Sequence, residues 1–270
     1  MRFLTFAACI ASAAWGQSAS VELTMLKSLV LEERVEMVSR KMLERQATLE
    51  KLFTDVGCSG EYFTTQKVPG SRSPNLICTL KGTDPGAGVI VVGGHYDFID
   101  AGIGAIDDWS GSVMLPSLYE SLKGQPRRHD YVFIAFAAEE KGLVGSREYV
   151  NKLKREQRAA IKAMINLECL GITPPGIWAS RADPKLLESY TRVISSLKIP
   201  PKAVNVERVG DDDSHSFRDA KIPTLTIHSL TQETWRMLHS PRDKVSAINA
   251  EDYYDAYRAA ALLLAYLDGK

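Results

Sequence analysis

The sequence has no surplus of charge of either sign: 33 lysines and arginines face 33 aspartates and glutamates. That balance argues against a basic nucleic-acid surface or a polycationic membrane patch as the organising feature. It also lacks internal repeats, low-complexity tracts and any Pro/Gly/Ser-rich linker that would divide the chain. Its apolar stretches fall short of the ~20 residues that cross a bilayer. Cysteine is scarce, with four in 270 residues, too few for a disulfide framework to stand in for a core. What remains is ordinary globular composition, 45% hydrophobic and 24% charged, with length enough to bury one sizeable core. Function must be read from local clusters.

The opening segment, MRFLTFAACIASAAWGQ, sets Arg2 before an apolar run from Phe3 to Trp15 and ends in small residues. That is the pattern of a secretory signal peptide, spanning residues 1–16 with cleavage between 16 and 20. Export to the periplasm or the medium is expected, with one catalytic domain over residues 20–270 and no membrane span in the mature form. With Cys9 assigned to the signal, Cys58, Cys78 and Cys169 remain. An oxidising compartment permits Cys58 and Cys78 to pair. Cys169, in an apolar run beside Glu168, reads as a packed thiol.

Leu31, Val35, Val38, Met42, Leu49 and Leu52 recur at helical spacing and predict one long amphipathic helix to about Asp55, ended by Gly57. Tyr62–Val68 and Asn75–Leu80 then read as a hairpin around a Pro/Gly/Ser turn. Val89–Val92, Tyr131–Ala137, Ile161–Leu167 and Thr224–Ile227 are apolar without polar alternation, as in strands covered on both faces. Helical patterns lie at Ser112–Leu122, interrupted by Pro116, and at Leu143–Leu153, Pro184–Leu197 and Ala250–Leu267. Alternation of buried strands with helices predicts a three-layer α/β/α sandwich around a largely parallel sheet.

In such sheets ligands bind beyond the carboxyl ends of the strands, and those ends are rich in metal-ligating residues. The first buried strand runs into Gly93-Gly94-His95-Tyr96-Asp97, and the following loop holds Asp107-Asp108-Trp109. The second ends in Glu139-Glu140, the third in Asn166-Leu167-Glu168, and His239-Ser240-Pro241 precedes the last helix. Imidazoles and carboxylates converging from separate loops suit a borderline cation such as Zn²⁺. The count predicts a pair of ions, which at roughly 3.5–4 Å apart need a shared ligand. Asp107 is the expected bridge, with His95 and Glu168 on one ion and Glu140 and His239 on the other. Glu139, beside a ligand but pointing elsewhere, is expected to take a proton from water and return it to the leaving amine. Asp97 is expected to accept a hydrogen bond from the free nitrogen of His95 and fix its tautomer.

The motifs Gly-Gly-His95-x-Asp97, Gly-Ala-x-Asp107 with Ser110-Gly111, Glu139-Glu140-x-Gly142-Leu143-x-Gly145-Ser146, Asn166-Leu167-Glu168 and His239-Ser240-Pro241-x-Asp243 occur in this order. Over about residues 30–267 the chain resembles the zinc exopeptidase family of bacterial secreted leucyl aminopeptidases. Glutamate carboxypeptidase II, the transferrin receptor ectodomain and glutaminyl cyclase are relatives. The resemblance implies the ligand roles above, a sheet of mixed direction and an aminopeptidase acting on peptides with a free N-terminus. It leaves a single-zinc glutaminyl cyclase and a catalytically silent binding domain as alternatives. Leu238 stands where cyclases tend to carry Trp. Glu168 replaces the family's more frequent Asp. Asp213, in a segment resembling the family's site-flanking loop, would hold the substrate's α-amino group or sit in a solvated loop. Trp109 would shape the substrate mouth or pack at a helix start. His129, His215, His228, Tyr96, Trp178 and Trp235 read as structural.

Overall fold

Ile90 and Val92 pack into one apolar cluster and Val91, between them, into another. A strand clad on both sides marks the middle layer of a three-layer protein. In the computed structural model, which describes residues 23–205 and 210–269, the strands are β1 (Phe63–Gln66), β2 (Asn75–Leu80), β3 (Val89–His95), β4 (Asp130–Phe136), β5 (Ile161–Glu168), β6 (Gly176–Ile177) and β7 (Thr224–His228). They form one sheet in the order β1-β2-β4-β3-β5-β7-β6. The central β4, β3, β5 and β7 run parallel. The β1–β2 hairpin joins antiparallel beside β4, and β6 joins antiparallel beside β7. The sheet is therefore mixed with a parallel centre. The signal-peptide assignment lies outside the described residues, among which no helix is long and apolar enough to cross a membrane.

The helices are α1 (Ser28–Glu36), α2 (Met42–Asp55), α3 (Ser110–Lys123), α4 (Val144–Lys152), α5 (Arg155–Ala160), α6 (Pro184–Ser196), α7 (Ser214–Asp219) and α8 (Ala250–Asp268). Leu31, Leu49, Val113, Leu118, Leu186 and Leu263 bring α1, α2, α3, α6 and α8 to the larger cluster on one face of the sheet. Val150 of α4 and Phe217 of α7 join the smaller cluster on the other. α3 runs through Pro116 without interruption.

The expected single helix to Asp55 is two helices. Between α1 and α2 the chain turns at residues 37–41, where the Ser39 carbonyl accepts from Arg45 Nε at 2.7 Å and the Ser39 hydroxyl accepts from Lys41 N at 3.1 Å. A serine side chain that engages nearby backbone competes with the helical ladder, and apolar spacing alone does not reveal that competition. The Cys58–Cys78 disulfide is present, with Cα atoms 6.2 Å apart, and ties the segment after α2 to the hairpin.

Candidate metal centre

Because β4, β3 and β5 are adjacent and parallel, their carboxyl ends open at one edge. His95 is the last residue of β3 and Glu168 the last of β5. Glu139 and Glu140 follow β4 after Ala138, whose φ of 59° turns the chain off the sheet. Asp107 comes from the β3–α3 connection and His239 from the loop before α8.

The structure brings these six side chains together. Asp107 lies between the two histidines: its Oδ1 is 3.1 Å from His95 Nε2 and its Oδ2 is 3.1 Å from His239 Nε2. His239 Nε2 is also 3.1 Å from Glu140 Oε2. On the other side, His95 Nε2 stands 3.5 Å from Glu168 Oε1 and 3.8 Å from Glu139 Oε2. Two donor sets thus share one carboxylate. They differ in depth: the His95 side chain is 1% exposed and that of His239 50%.

Among the described residues no lysine or arginine forms an ion pair with Asp107, Glu139, Glu140 or Glu168; histidines are their only ion-pair partners. The pKa directions record this crowding. Burial pushes the Glu139 carboxyl well up against the pull of His95, and Asp213, Glu168 and Asp107 add to the rise. Burial likewise raises Glu168. Burial alone would lower His95, but Glu139, Asp107, Asp97 and Glu168 carry it well above its ordinary value. Hydrogen bonds to Asp107 and Glu140 raise His239 to about 10. Such a cluster carries more negative charge than it can neutralise, which is the condition a bound cation relieves.

The support of the site corrects one expectation. His95 Nδ1 donates to the backbone carbonyl of Asp97 at 3.2 Å, while the nearer Asp97 carboxylate oxygen is 3.6 Å away. The carbonyl therefore fixes the tautomer, leaving the Nε2 lone pair for a ligand. The Asp97 carboxylate instead accepts the backbone N–H groups of Glu139 at 3.0 Å and Glu140 at 3.2 Å.

Three supporting residues escaped sequence reasoning. The buried Asp108 carboxylate accepts backbone N–H groups of His95 (3.2 Å), Gly111 (3.1 Å) and Cys169 (2.9 Å), locking β3, α3 and the end of β5 together. Asp243 Oδ1 accepts from Ile106 N at 2.7 Å and so fixes the loop carrying Asp107. Arg45 of α2, 0% exposed, donates to the carbonyls of Tyr96 at 3.1 Å, Gly104 at 3.0 Å and Ile103. Burial lowers its pKa to about 10, which leaves it a cation beside Asp243, Asp97, Asp107 and Asp108. Asp108 and Asp243 lie inside quoted motifs, whereas Arg45 carried no signal beyond a polar helix position.

Neither Trp109 nor Asp213 lines the cavity above the site. Trp109 is 0% exposed, donates its Nε1 to the Arg34 carbonyl at 3.4 Å and stacks beneath Arg45; it packs and does not reach the mouth. Asp213 is also 0% exposed, its oxygens make no hydrogen bond among the described residues, and burial raises it to about 8. It is not among the residues that line the cavity. The cavity above the site, ≈ 380 Å³, is lined instead by Asp211 and Asp212 and by Leu143, Trp178, Leu230 and Leu238. Trp178, His215 and His228, read as purely structural, also line it. His228 remains internally satisfied, accepting from Leu230 N and donating to the Val204 carbonyl, each at 3.0 Å. Cys169 is a buried free thiol, as expected, donating to Glu168 Oε1 at 3.3 Å.

A mixed α/β sheet whose strand ends and surrounding loops gather two histidines and a set of carboxylates around one shared aspartate has the frame of the zinc exopeptidases. Within that class, the pattern of peptidase family M28 matches residues 75–264, and the chain belongs to this family. Leupeptin-inactivating enzyme 1 of Streptomyces exfoliatus is 34% identical over 163 residues, 59% of this chain and 36% of that protein. The chain thus spans well under half the length of that relative. Among solved structures, the Legionella pneumophila LapA aminopeptidase matches with a TM-score of 0.76 at 21% identity, covering 90% of this chain and 71% of that one. BSAP, a zinc aminopeptidase from Bacillus subtilis, gives 0.65 at 24%, covering 71% and 49%. A glutaminyl cyclase from an Acidobacteriales bacterium gives 0.73 at 16%, covering 97% and 99%. These structural likenesses establish the shared fold.

Proposed function

We propose that the protein is a zinc-dependent aminopeptidase that hydrolyses the N-terminal residue of peptides, working as a single exported domain over residues 20–270 once residues 1–16 are removed. The observation that carries this reading is the placement of Asp107, with one oxygen toward His95 and the other toward His239. The donors fit zinc: imidazole Nε2 and carboxylate oxygens, in a cluster short of positive charge. His95 and Glu168 with Asp107 would hold one ion, and Glu140 and His239 with Asp107 the other. Bound zinc would supply Lewis acidity, polarising a carbonyl and acidifying water.

The chain's own groups account for the rest. The Glu139 carboxyl, raised well above its ordinary value by burial, accepts a proton from the attacking water and delivers it to the departing amine nitrogen. Asp97, gripping the Glu139 and Glu140 amides, keeps base and ligand in register. The apolar wall of Leu143, Trp178, Leu230 and Leu238 excludes water around the terminal side chain, while the acidic floor attracts the substrate's ammonium.

A panel of unblocked, N-acetylated and N-terminal glutaminyl peptides, run with zinc counted per chain, tests the reading. Release of free amino acids from unblocked peptides alone is expected. Ammonia from the glutaminyl peptide with one zinc per chain would replace it with the cyclase, for which Asp107, Glu140 and His239 form a complete one-metal set whose donor atoms lie within 4.8 Å of one another. No zinc uptake and no turnover would favour a binding domain.

A further inference from the structure

Six carboxylates line the cavity: Asp107, Glu139, Glu140, Glu168, Asp211 and Asp212. Of the nearby cations, Arg181 and Arg218 are committed to Asp211, at 2.5 Å and 3.1 Å, and Lys141 does not line the cavity. Arg147 does line it, is exposed, and makes no side-chain hydrogen bond or ion pair among the described residues. Its neighbour Glu148 is paired with Lys152 at 3.5 Å. A guanidinium at an acidic mouth would fold onto a carboxylate if one were in reach. Among the described residues Arg147 thus lines the cavity with no carboxylate paired to it, free to meet one brought by a substrate.

Its position follows from the chain. The Glu139 carbonyl accepts Leu143 N at 2.7 Å and the Leu143 carbonyl accepts Arg147 N at 3.0 Å, so Arg147 lies one turn beyond the segment carrying Glu139. If Glu139 protonates the leaving nitrogen, the residues that follow it flank the leaving group. A substrate entering ammonium first, into an acidic interior, points its remaining atoms outward toward this rim. In a dipeptide the terminal carboxylate is two bonds from the scissile nitrogen.

We propose that Arg147 is a specificity residue that binds a carboxylate on the leaving residue, so that the site favours dipeptides, or peptides with an acidic second residue, over substrates neutral there. The inference rests on the aminopeptidase reading above. Guanidinium pairs carboxylate through two parallel N–H donors, and a contact present in both ground and transition states appears in KM and not in kcat.

The test compares kcat/KM for Leu-Gly with Leu-Gly-amide, and for Leu-Asp-amide with Leu-Asn-amide, in wild type, Arg147→Gln and Arg147→Glu. Wild type is expected to prefer the anionic member of at least one pair by about tenfold, carried by KM. The first pair reports the α-carboxylate and the second a side-chain carboxylate. The preference should fall to about one in Arg147→Gln and invert in Arg147→Glu. Equal cleavage within both pairs by wild type, or a preference that survives Arg147→Gln, overturns this inference and leaves the aminopeptidase standing. Cleavage of none of the four overturns both.

Discussion

The carboxylate of Asp97 receives the peptide N–H groups of both Glu139 and Glu140, at 3.0 Å and 3.2 Å. One side chain just beyond β3 thereby sets the orientation of the proposed base and the proposed ligand that follow β4. Asp97→Asn retains one acceptor oxygen and presents an NH₂ group to the other amide. Losing one charge-assisted bond of about 1.5–3 kcal/mol should lower kcat about tenfold or more while zinc content changes little. Unchanged kcat in a steady-state assay would remove this positioning role.

Glu139→Gln keeps the shape of the side chain and removes its ability to accept a proton. Turnover should fall by about 10²–10⁴-fold, the usual contribution of a positioned base, with zinc stoichiometry by elemental analysis equal to wild type. Near-normal turnover would mean that another group moves the proton.

Gly111→Ala tests the Asp108 lock. A Cβ there would lie 2.4 Å from Asp108 Oδ2 and 2.6 Å from the Leu167 carbonyl, closer than atoms tolerate. Overpacking of this kind costs about 1–3 kcal/mol, and the strain falls on the residue that joins β3, α3 and β5. A lower denaturant midpoint together with weaker zinc retention is expected; full retention of both would show that Asp108 can shift freely.

Arg45→Met removes a buried cation and leaves the carbonyls of Tyr96, Gly104 and Ile103 without that donor. Removing one partner from a buried charged network costs about 3–5 kcal/mol. Chemical denaturation should show a loss of that order, and a change below about 1 kcal/mol would indicate that water replaces the guanidinium.

How much of this was legible in the sequence follows from how local each feature is. His95, Glu139, Glu140 and Glu168 stand at the ends of strands that announce themselves by uninterrupted apolar runs, so residue type and position sufficed to collect them. The hairpin likewise came from two β-rich runs and a breaker cluster. The break between α1 and α2 did not show, because it follows from Arg45 reaching across to the loop at Gly104 and back to Ser39. The role of Asp108 depends on three strands and helices meeting at one carboxylate. The cavity wall was not legible for the same reason: Trp178 and His215 line it only through the way β6, β7 and α7 pack.

The unequal exposure of the two histidines carries a consequence for how the centre would be filled. If two ions are held as proposed, a chelator would reach His239 directly, whereas an ion on His95 and Glu168 would leave only after that outer position opened or the loop bearing Asp107 moved. Zinc should therefore depart in two phases, fast and then slow, with the slow phase retaining the ion nearest β3 and β5. Stopped-flow chelation would resolve them, and a single phase would mean that both positions communicate with solvent alike. Under metal scarcity the inner position would hold its ion longest, making the outer one the point at which supply would govern the proposed activity.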